Sequence, residues 1–269
     1  MIGRLTLALA DGAVVAKRNV IKIIRVPEVL VFVLISPIMF VLLFAYVFGS
    51  SIAVPGGQYR EFLIAGIFAQ TVIFGATFTG AGLADDMQKG IIDRFRSLPM
   101  SRSAVLLGRT VSDIVYNALS MLIMGAAGFI VGWRIRGTLA GAIGGFALLL
   151  LFAYAFSWVM AYVGLSVPSV EVVNNASFIV IFPVTFIANT FVPAENLPSA
   201  LRSFAEWNPV STVTQAVREM LGNIPPGTPE PTAWSLQNPV LYTLFWMVAI
   251  VAIFAPLSVG KYKRIQGHR

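Results

Sequence analysis

The sequence predicts an all-α membrane protein with six transmembrane helices. Its 269 residues are 57% hydrophobic and only 12% charged, and the mean hydropathy is +0.82. An average globular chain carries roughly 25% charged residues. Apolar runs of about 20 residues, the length that a helix needs to cross a bilayer, recur along the whole chain. The composition therefore excludes a soluble domain with a single anchor.

Six stretches are long and apolar enough to span a membrane, and together they form a membrane domain over residues 29–259. They cover residues 29–48, 62–83, 114–133, 139–167, 172–192 and 240–259. The first contains Pro37 and the fifth Pro183, which neighbouring groups can accommodate within a membrane. The first run exceeds the roughly 7–15 apolar residues of a signal peptide, so we expect it to be retained.

The basic residues orient this bundle. Fourteen of the nineteen Lys and Arg residues fall before the first span, between the second and third spans, or after the sixth span. The last group forms a basic tail over residues 260–269. Lys and Arg collect on the cytoplasmic side, so both termini are predicted to be cytoplasmic. The net charge of +7 thus reflects topology, and no nucleic acid partner is expected. The predicted location is the plasma membrane of a bacterial cell.

Residues 1–28 are predicted to contain an amphipathic helix on the membrane surface. Its cations Arg18, Lys22 and Arg25 share one face, and the aliphatic residues Val20, Ile21 and Ile24 share another. Such a helix lies in the interface with its cations near anionic lipid. Lys17 falls among the apolar positions and would have to extend its ammonium group to the water.

A second non-spanning segment, residues 193–239, precedes the last span. Between residues 197 and 221 it shows two short helical patterns that break at Asn208-Pro209. Residues 222–239 are rich in Pro and Gly, which indicates a loop. The predicted topology places this segment on the outer side of the membrane.

Several kinds of active site are absent from the sequence. No G-x-x-x-x-G-K-[ST] motif occurs, so the chain should not bind ATP through a P-loop. The chain has no cysteine, and its one histidine, His268, lies in the tail. We therefore expect neither a metal site nor histidine-based catalysis. Isolated Ser, Thr and Tyr residues without a convergent base argue against an intramembrane enzyme.

The twelve acidic residues bear on ion coupling. Proton- or sodium-coupled carriers usually hold carboxylates in mid-span, where such groups are costly and functional. All twelve map to predicted span ends or loops. Asp113 comes closest, and because it lies four residues after Arg109 we interpret the two as a local ion pair. This distribution disfavours an ion-coupled carrier.

The segment KGIIDRFRSLPMSR, residues 89–102, predicts a short amphipathic helix between the second and third spans. Asp85 or Asp86 can cap this helix, and Pro99 ends it. Its apolar face consists of Ile91, Ile92, Phe95 and Leu98. Such a helix can dock a partner from the cytoplasm or lie on the lipid surface, and the residue pattern alone leaves both open.

The string GIIDRFRSLPMSRSAVLLGR resembles the cytoplasmic loop of type-2 permeases of ATP-binding-cassette (ABC) exporters, in particular the membrane subunits of daunorubicin-resistance-type drug exporters. The matching residues are Gly90, Asp93, Arg94-Phe95 and Leu98-Pro99. A second match, before the last span, consists of Phe191-Val192-Pro193, Leu197-Pro198, Trp207-Asn208-Pro209-Val210 and Arg218. The resemblance covers essentially the whole chain and does not identify a cargo.

The resemblance implies a coupling helix at about residues 86–99, seated in a groove of a separate ABC ATPase. The ATPase-coupling residues would be Gly90, Ile91, Asp93, Arg94, Phe95, Arg96, Leu98 and Pro99. The N-terminal helix would be a connecting helix at the same interface. Two ATPases and two permeases, identical or related, would form the working unit. ATP and Mg²⁺ would be bound by the ATPases, and this chain would hold no cofactor and do no covalent chemistry.

The resemblance also implies a cavity faced by the second and fifth spans. The candidate substrate-path residues are Gln70, Phe74, Phe78, Phe178, Phe182, Phe186 and Asn189. Aromatic walls suit a flat apolar drug or natural product, although lipid contact or packing would also explain the rings. Short re-entrant helices would roof the cavity outside, with Pro193, Pro198, Asn208, Pro209 and Arg218 as gate residues. A lipid or glycan cargo stays open.

Overall fold

The computed structural model describes residues 11–21, 35, 38–48, 59–97, 104–224 and 228–264, and these contain helices and no strand. The predicted all-α membrane fold is therefore confirmed. In chain order the helices are α1 (residues 11–21), α2 (Ile38–Val47), α3 (Tyr59–Gly75), α4 (Thr77–Gln88), α5 (Ile91–Ser97), α6 (Ala104–Ile130), α7 (Leu139–Gly164), α8 (Val170–Phe186), α9 (Ser199–Trp207), α10 (Pro209–Leu221), α11 (Trp234–Gln237) and α12 (Pro239–Arg264).

Four helical segments in the described part of the chain are long and apolar enough to cross a membrane. They are the continuous α3–α4 segment, which has an irregular turn at Ala76, and the helices α6, α7 and α12. The helices α2 and α8 are apolar but shorter. The prediction of six spans thus stays a prediction at these two helices. Residues 29–34 and Pro37 lie outside the described residues.

The largest differences between the helices and the predicted spans are at the start of α6 and the end of α8. Helix α6 begins at Ala104, ten residues before the predicted start, because a hydropathy window does not count the polar first turns of a helix. Helix α8 ends at Phe186 instead of residue 192. Beyond it the chain turns, and the Thr190 hydroxyl donates to the carbonyl of Thr185 at 2.6 Å. The length and hydropathy of a span were therefore not sufficient to predict the start of α6 or the end of α8.

Helix α3 occupies the centre of the bundle. Most of its side chains are buried, and it packs against α6, α7 and α10. Its glycines permit close approach: a Cβ at Gly66 would collide with the backbone of Thr190, and a Cβ at Gly75 with the amide of Asn117. Helix α12 lies at the edge, where it packs on α7 and α10 and leaves a largely exposed apolar surface.

At one end of the bundle, here called the α10 end, the predicted pair of short helices is confirmed. Helices α9 and α10 meet at Asn208, whose side-chain Oδ1 accepts from the Val210 amide at 2.9 Å and caps α10. Pro209 follows at the first helical position, where its missing N–H costs nothing. Helix α10 packs on α3, α7 and α12, so this segment is part of the folded bundle.

The opposite end, here called the α5 end, has its own hydrophobic cluster. Ile92 of α5 packs there with residues from α4, α6, α7 and α12 and with the residue that follows α7: Leu83, Val105, Leu106, Trp158, Ala161, Tyr262 and Leu165. Helix α5 is a single short element, and seven residues are too few for a helix to be stable alone in water. This cluster is what holds α5 on the bundle.

Helix α1 also lies at the α5 end, and its orientation corrects a prediction. Its buried face is formed by Gly12, Val15, Ala16 and Asn19, whereas Val14, Lys17 and Ile21 are exposed. Arg18, expected to face anionic lipid, instead pairs with Asp86 of α4 at 2.8 Å. The sequence pattern missed this because small residues make the contact. Lys22, Ile24 and Arg25 lie outside the described residues.

Candidate functional site

A cavity of about 670 Å³ opens between α3, α4, α6 and α8. Its volume falls within the range of roughly 300–1,000 Å³ that is usual for small-molecule sites. The wall consists of Phe40, Ile67, Gln70, Thr71, Phe74, Gly75, Thr77, Phe78, Ala81, Tyr116, Ser120, Val170, Asn174, Ser177, Phe178 and Phe182. The surface is therefore mainly apolar and aromatic, with a few neutral polar groups.

The structure brings five of the seven predicted substrate-path residues to this wall. They are Gln70, Phe74, Phe78, Phe178 and Phe182. The second and fifth predicted spans thus do face one cavity. Because the period of a helix is 3.6 residues, the i, i+4 spacing of these rings was sufficient to place them on one side.

Phe186 and Asn189 are not on the cavity wall, and their place on a substrate path stays a prediction. Asn189 is buried at the α10 end, where its backbone amide donates to the Ser211 hydroxyl at 2.9 Å and its Nδ2 to Gln215 Oε1 at 3.3 Å. The early end of α8 explains its position, because Asn189 belongs to the turn that follows the helix. Phe186 continues the line of rings beyond the cavity.

This line of rings joins the cavity to the α10 end. Its closest centroid spacings are 4.9 Å from Phe178 to Phe182, 4.0 Å from Phe182 to Phe186 and 4.8 Å from Phe186 to Phe191. Phe44 stacks on Phe191 at 4.5 Å. Rings at these separations make favourable offset or tilted contacts. An aromatic surface therefore extends from the cavity to the turn after α8, where Phe191 is fully buried.

Helix α6 supplies cavity residues that the sequence reasoning missed. Tyr116 and Ser120, one turn apart, line the cavity together with Ser177 of α8. The Ser120 hydroxyl is buried without a hydrogen-bond partner, and the Tyr116 ring lies 4.8 Å from that of Phe78. Polar residues at an i, i+4 spacing in an apolar span were the signal that could have found them.

The predicted ion pair between Arg109 and Asp113 is not formed. Arg109 Nη2 donates to the Phe78 carbonyl at 2.6 Å, and a side chain at Gly82 would collide with this guanidinium. Asp113 Oδ2 is buried without a hydrogen-bond partner. Helical spacing allowed the pair, but the carbonyl exposed near the irregular turn of the α3–α4 segment competes for the guanidinium. Asp113 also lies well inside α6 instead of at its end.

The turn between α4 and α5 requires a glycine. Gly90 has φ +64°, in the left-handed region that glycine adopts without steric cost. It lies in the turn that ends α4 and leads into α5, which stays in contact with α4. The resemblance assigned Gly90 to the coupling site, and the structure gives it this conformational role.

The apolar face of α5 points largely into the bundle. Ile92 is only 2% exposed, Ile91 and Phe95 are half-buried, and the exposed positions are Asp93 and Arg94. The prediction that this face docks a partner is therefore corrected for Ile92, because a short helix buries its most apolar position on its own protein first. For Ile91 and Phe95 it stays a prediction. The side chain of Arg96, and Leu98 and Pro99 entirely, lie outside the described residues.

The predicted gate residues lie together at the α10 end, where they hold the turn after α8 to α10. Pro193 precedes a short 3₁₀ turn, Pro198 precedes α9 and Pro209 starts α10. Asn208 Nδ2 donates to the Val184 carbonyl at 2.7 Å. These residues therefore join the turn after α8 to α9 and α10. Residues 187–221 are here called the roof, because the resemblance predicts that this segment covers the cavity.

Arg218 is the most deeply placed of these residues. Its Nε donates to the Phe62 carbonyl at 3.0 Å and its Nη2 to the Thr190 carbonyl at 3.1 Å. The guanidinium carbon lies 3.5 Å from the centre of the Phe62 ring, a cation–π contact. Burial lowers the pKa of Arg218 from 12.5 to about 9, so the side chain still carries its charge at neutral pH.

Sequence comparison decides the family. The profile of the ABC-2 type transporter family matches residues 12–221. The chain belongs to this family. The resemblance drawn from the two motifs is thereby confirmed, and the matched region runs from α1 through α10, so it includes the cavity, α5 and the roof.

Curated members of the ABC-2 family are similar over most of this chain. The daunorubicin resistance ABC transporter permease protein DrrB1 of Streptomyces coeruleorubidus is 31% identical over 244 residues, which cover 90% of this chain and 82% of that protein. The probable doxorubicin resistance ABC transporter permease protein DrrC of Mycobacterium tuberculosis is 23% identical over 237 residues, 87% of this chain and 82% of that protein. Membership of the ABC-2 family makes this chain a membrane transport subunit.

Proposed function

We propose that this ABC-2 chain is the permease subunit of an exporter that moves a hydrophobic or amphipathic drug or natural product out of the cell. The observation that carries the proposal is the aromatic cavity between α3, α4, α6 and α8. Its size suits one drug-sized compound. A separate ABC ATPase would supply the energy, with ATP and Mg²⁺ bound to that partner.

The composition of the wall supports this class of cargo. A flat apolar ring system can lie against Phe74, Phe178 and Phe182, since aromatic faces contribute stacking energy beyond their burial. Phe178 is 57% exposed, so its ring is available to a ligand. Neutral polar groups, among them Ser120 and Asn174, can hydrogen-bond the polar substituents of an amphipathic compound.

The line of rings supports a direction of movement. From the cavity it passes through Phe186 to Phe191, beneath the roof held by Asn208 and Arg218. In the exporter the cargo would leave along this surface when the roof opens. A second permease, a second copy or a related chain, would complete the pathway.

Coupling would occur at the opposite end. With both termini in the cytoplasm, the α5 end faces the ATPase and presents Asp93 and Arg94 on the exposed side of α5. Charged side chains on a rim set orientation and specificity in protein interfaces. Closure of two ATPases on ATP would push α5, and hence α4 and α6, whose residues line the cavity.

Co-purification with an ABC ATPase tests this function. We expect one ABC ATPase of the source organism to co-purify with the chain, and daunorubicin, for which one relative is named, to stimulate its ATP hydrolysis.

Arg94→Glu should abolish stimulated hydrolysis and efflux while leaving membrane insertion intact. Unchanged efflux by correctly inserted Arg94→Glu protein would refute the coupling role, and an absence of any ATPase partner would refute the function.

A proton-coupled carrier is the second candidate, and one observation favours it. Asp113 is a buried carboxylate inside α6 with an unpartnered oxygen, one turn from the cavity residue Tyr116. Intramembrane carboxylates often mark proton pathways. Transport that is insensitive to ATP depletion and stopped by an uncoupler would support this candidate over the ABC exporter.

A further inference from the structure

At the α5 end, the guanidinium group of Arg18 on α1 contacts two other helices, α4 and α5. Arg18 of α1 donates through Nη2 to Asp86 Oδ2 of α4 at 2.8 Å, and its guanidinium carbon lies 5.0 Å from the centre of the Phe95 ring of α5. The same group also donates to Asn19 Oδ1 at 3.1 Å, which fixes its orientation on α1. A planar, multidentate cation is suited to hold several partners at once.

The Asp86 carboxylate depends on this contact. Its side chain is only 4% exposed, while that of Arg18 is 36% exposed. Removing the partner of a buried carboxylate leaves an uncompensated charge, which is far more costly than losing a pair in water. The neighbouring pair of Lys89 and Asp85, at 2.7 Å, is more exposed and lies within one helical turn of α4. The Arg18–Asp86 pair, by contrast, joins elements far apart in sequence.

Helix α1 is itself fixed on α6, so it can serve as a support. A Cβ at Gly108 would lie 2.6 Å from the Gly12 carbonyl oxygen, which means that the two helix backbones touch there. Asn19 Nδ2 donates to the Ser112 hydroxyl at 3.4 Å, one turn further along α6. Tyr116 and Ser120 follow Ser112 at intervals of four residues on α6, and both line the cavity.

Helix α5 is attached to the bundle mainly through its apolar side chains. It is joined to α4 through Gly90 at φ +64°, a residue with wide conformational freedom, and Ile92 and Phe95 both pack in the cluster at this end. The contact of Arg18 with Phe95 links α5 to the ion pair that Arg18 forms with α4. Because this contact lies one turn from Ile92, it helps to fix the direction of the short helix.

We infer that Arg18 is a positioning residue of the coupling apparatus. It holds α5, α4 and α1 as one unit, so that a displacement of α5 passes to α6 and α4 and from there to the cavity wall. The geometric part of this inference stands on the contacts of Arg18 alone. Its role in transport rests on the proposed function, in which an ATPase pushes on α5.

Hydrogen exchange measured on the full chain in lipid nanodiscs tests the geometric part without any partner. Arg18→Gln and Asp86→Asn each remove the ion pair with little change of size. We expect either to speed amide exchange in α5 by about two- to fivefold, the factor that corresponds to one cation–π contact near the surface, because the guanidinium that faces Phe95 is removed or loses the carboxylate that holds it. Lys17→Gln, an equal change of charge on the adjacent exposed position, is the matched control and should leave α5 unchanged.

The double variant Arg18→Gln/Asp86→Asn separates a direct pair from two independent effects. If the two side chains act through each other, its exchange rate in α5 equals that of the more affected single variant. Arg18→Lys should lie between wild type and Arg18→Gln, because a lysine keeps the charge and loses the planar fork. Exchange in Arg18→Gln equal to that in Lys17→Gln overturns the inference.

The transport role is measured in the co-purified complex with an ABC ATPase. Stimulation of ATP hydrolysis by daunorubicin should fall about tenfold in Arg18→Gln and Asp86→Asn and persist in Lys17→Gln. If the variants alter exchange in α5 but leave stimulation as in wild type, Arg18 holds α5 without serving coupling, and the transport role is overturned. If even the wild-type chain finds no ATPase, the proposed function fails, and the exchange experiment alone decides the positioning claim.

Discussion

Arg218 is a buried cation that is held by carbonyl oxygens and a ring. Its guanidinium joins α10 to the start of α3 and to the turn after α8, through Phe62 and Thr190. Each hydrogen bond from a charged group contributes about 1.5–3 kcal/mol to stability. Removing one partner in a buried site costs more, because the other polar group is left without a hydrogen bond. Arg218 thus ties the roof to the central helix.

Arg218→Ala should therefore destabilise the protein by about 2–4 kcal/mol. We expect a fall in the apparent melting temperature of several degrees in detergent, followed by tryptophan fluorescence. Arg202→Ala is the control: Arg202 pairs with Glu206 one turn away on α9 at 2.8 Å, and a solvated pair of this kind is worth less than about 1 kcal/mol. Equal melting of the two variants would contradict the structural role of Arg218.

Phe182 is the ring that links the cavity to the rest of the aromatic line. Phe182→Ala should weaken daunorubicin stimulation of ATP hydrolysis, with the half-maximal concentration rising about two- to tenfold, because an aromatic pair contributes about 0.5–1.5 kcal/mol beyond burial. Phe245→Ala removes an equally large ring from the exposed face of α12, away from the cavity. An equal shift in both variants would indicate a general effect on the membrane and no cavity contact.

At the same scale, sequence patterns located side chains that repeat along one helix and missed those that depend on packing between helices. The i, i+4 spacing of Phe178 and Phe182 was enough to place both on the cavity. The pairing of Arg18 with Asp86 joins positions 68 residues apart, and no local pattern encodes that distance. The inward direction of Ile92 likewise depends on which neighbours cover it.

At the scale of elements, glycines set how closely the helices pack. Helices α4 and α7 touch at Gly80 and Gly164, where a Cβ at Gly80 would lie 2.7 Å from the Met160 carbonyl oxygen. Helices α7 and α10 meet in the same way, since a Cβ at Gly141 would lie 2.5 Å from the Met220 carbonyl oxygen. In membranes, small residues permit the van der Waals contact that holds helices together.

Gly80→Ala should push α4 away from α7 and cost about 1–3 kcal/mol, the usual cost of overpacking. The expected observation is a lower melting temperature and less folded protein by size-exclusion chromatography. Gly260→Ala, at a position in α12 with no atom near its would-be Cβ, should be neutral or stabilising by up to about 1 kcal/mol. The account of α4–α7 contact fails if Gly80→Ala melts at or above the temperature of Gly260→Ala.

The elements themselves were predictable to different degrees. The break at Asn208-Pro209 follows from local chemistry, because Asn is a preferred cap and Pro a preferred first residue of a helix. The start of α6 at Ala104 did not follow from hydropathy, since its first turns contain Arg109 and Asp113. Arg109 lies against α4, where it donates to the Phe78 carbonyl, and Asp113 is buried within the bundle.

At the scale of the whole molecule, we expect the α5 end and the α10 end of the bundle to lie on opposite sides of the membrane. Because the chain has no cysteine, single cysteines can report this directly. A membrane-impermeant maleimide should label Asp93→Cys only in inverted vesicles and Glu230→Cys only in intact cells or spheroplasts; both positions are exposed. Labelling of both positions from the same side would contradict the predicted topology.

The most direct test of the central claim is ATP-driven uptake of daunorubicin into inverted vesicles that contain this chain and its co-purifying ABC ATPase. Uptake is followed by the fluorescence of the compound, with and without a protonophore. The account predicts uptake that requires ATP hydrolysis, persists with the protonophore and is weakened by Phe182→Ala. Uptake that proceeds without ATP and is abolished by the protonophore would contradict it.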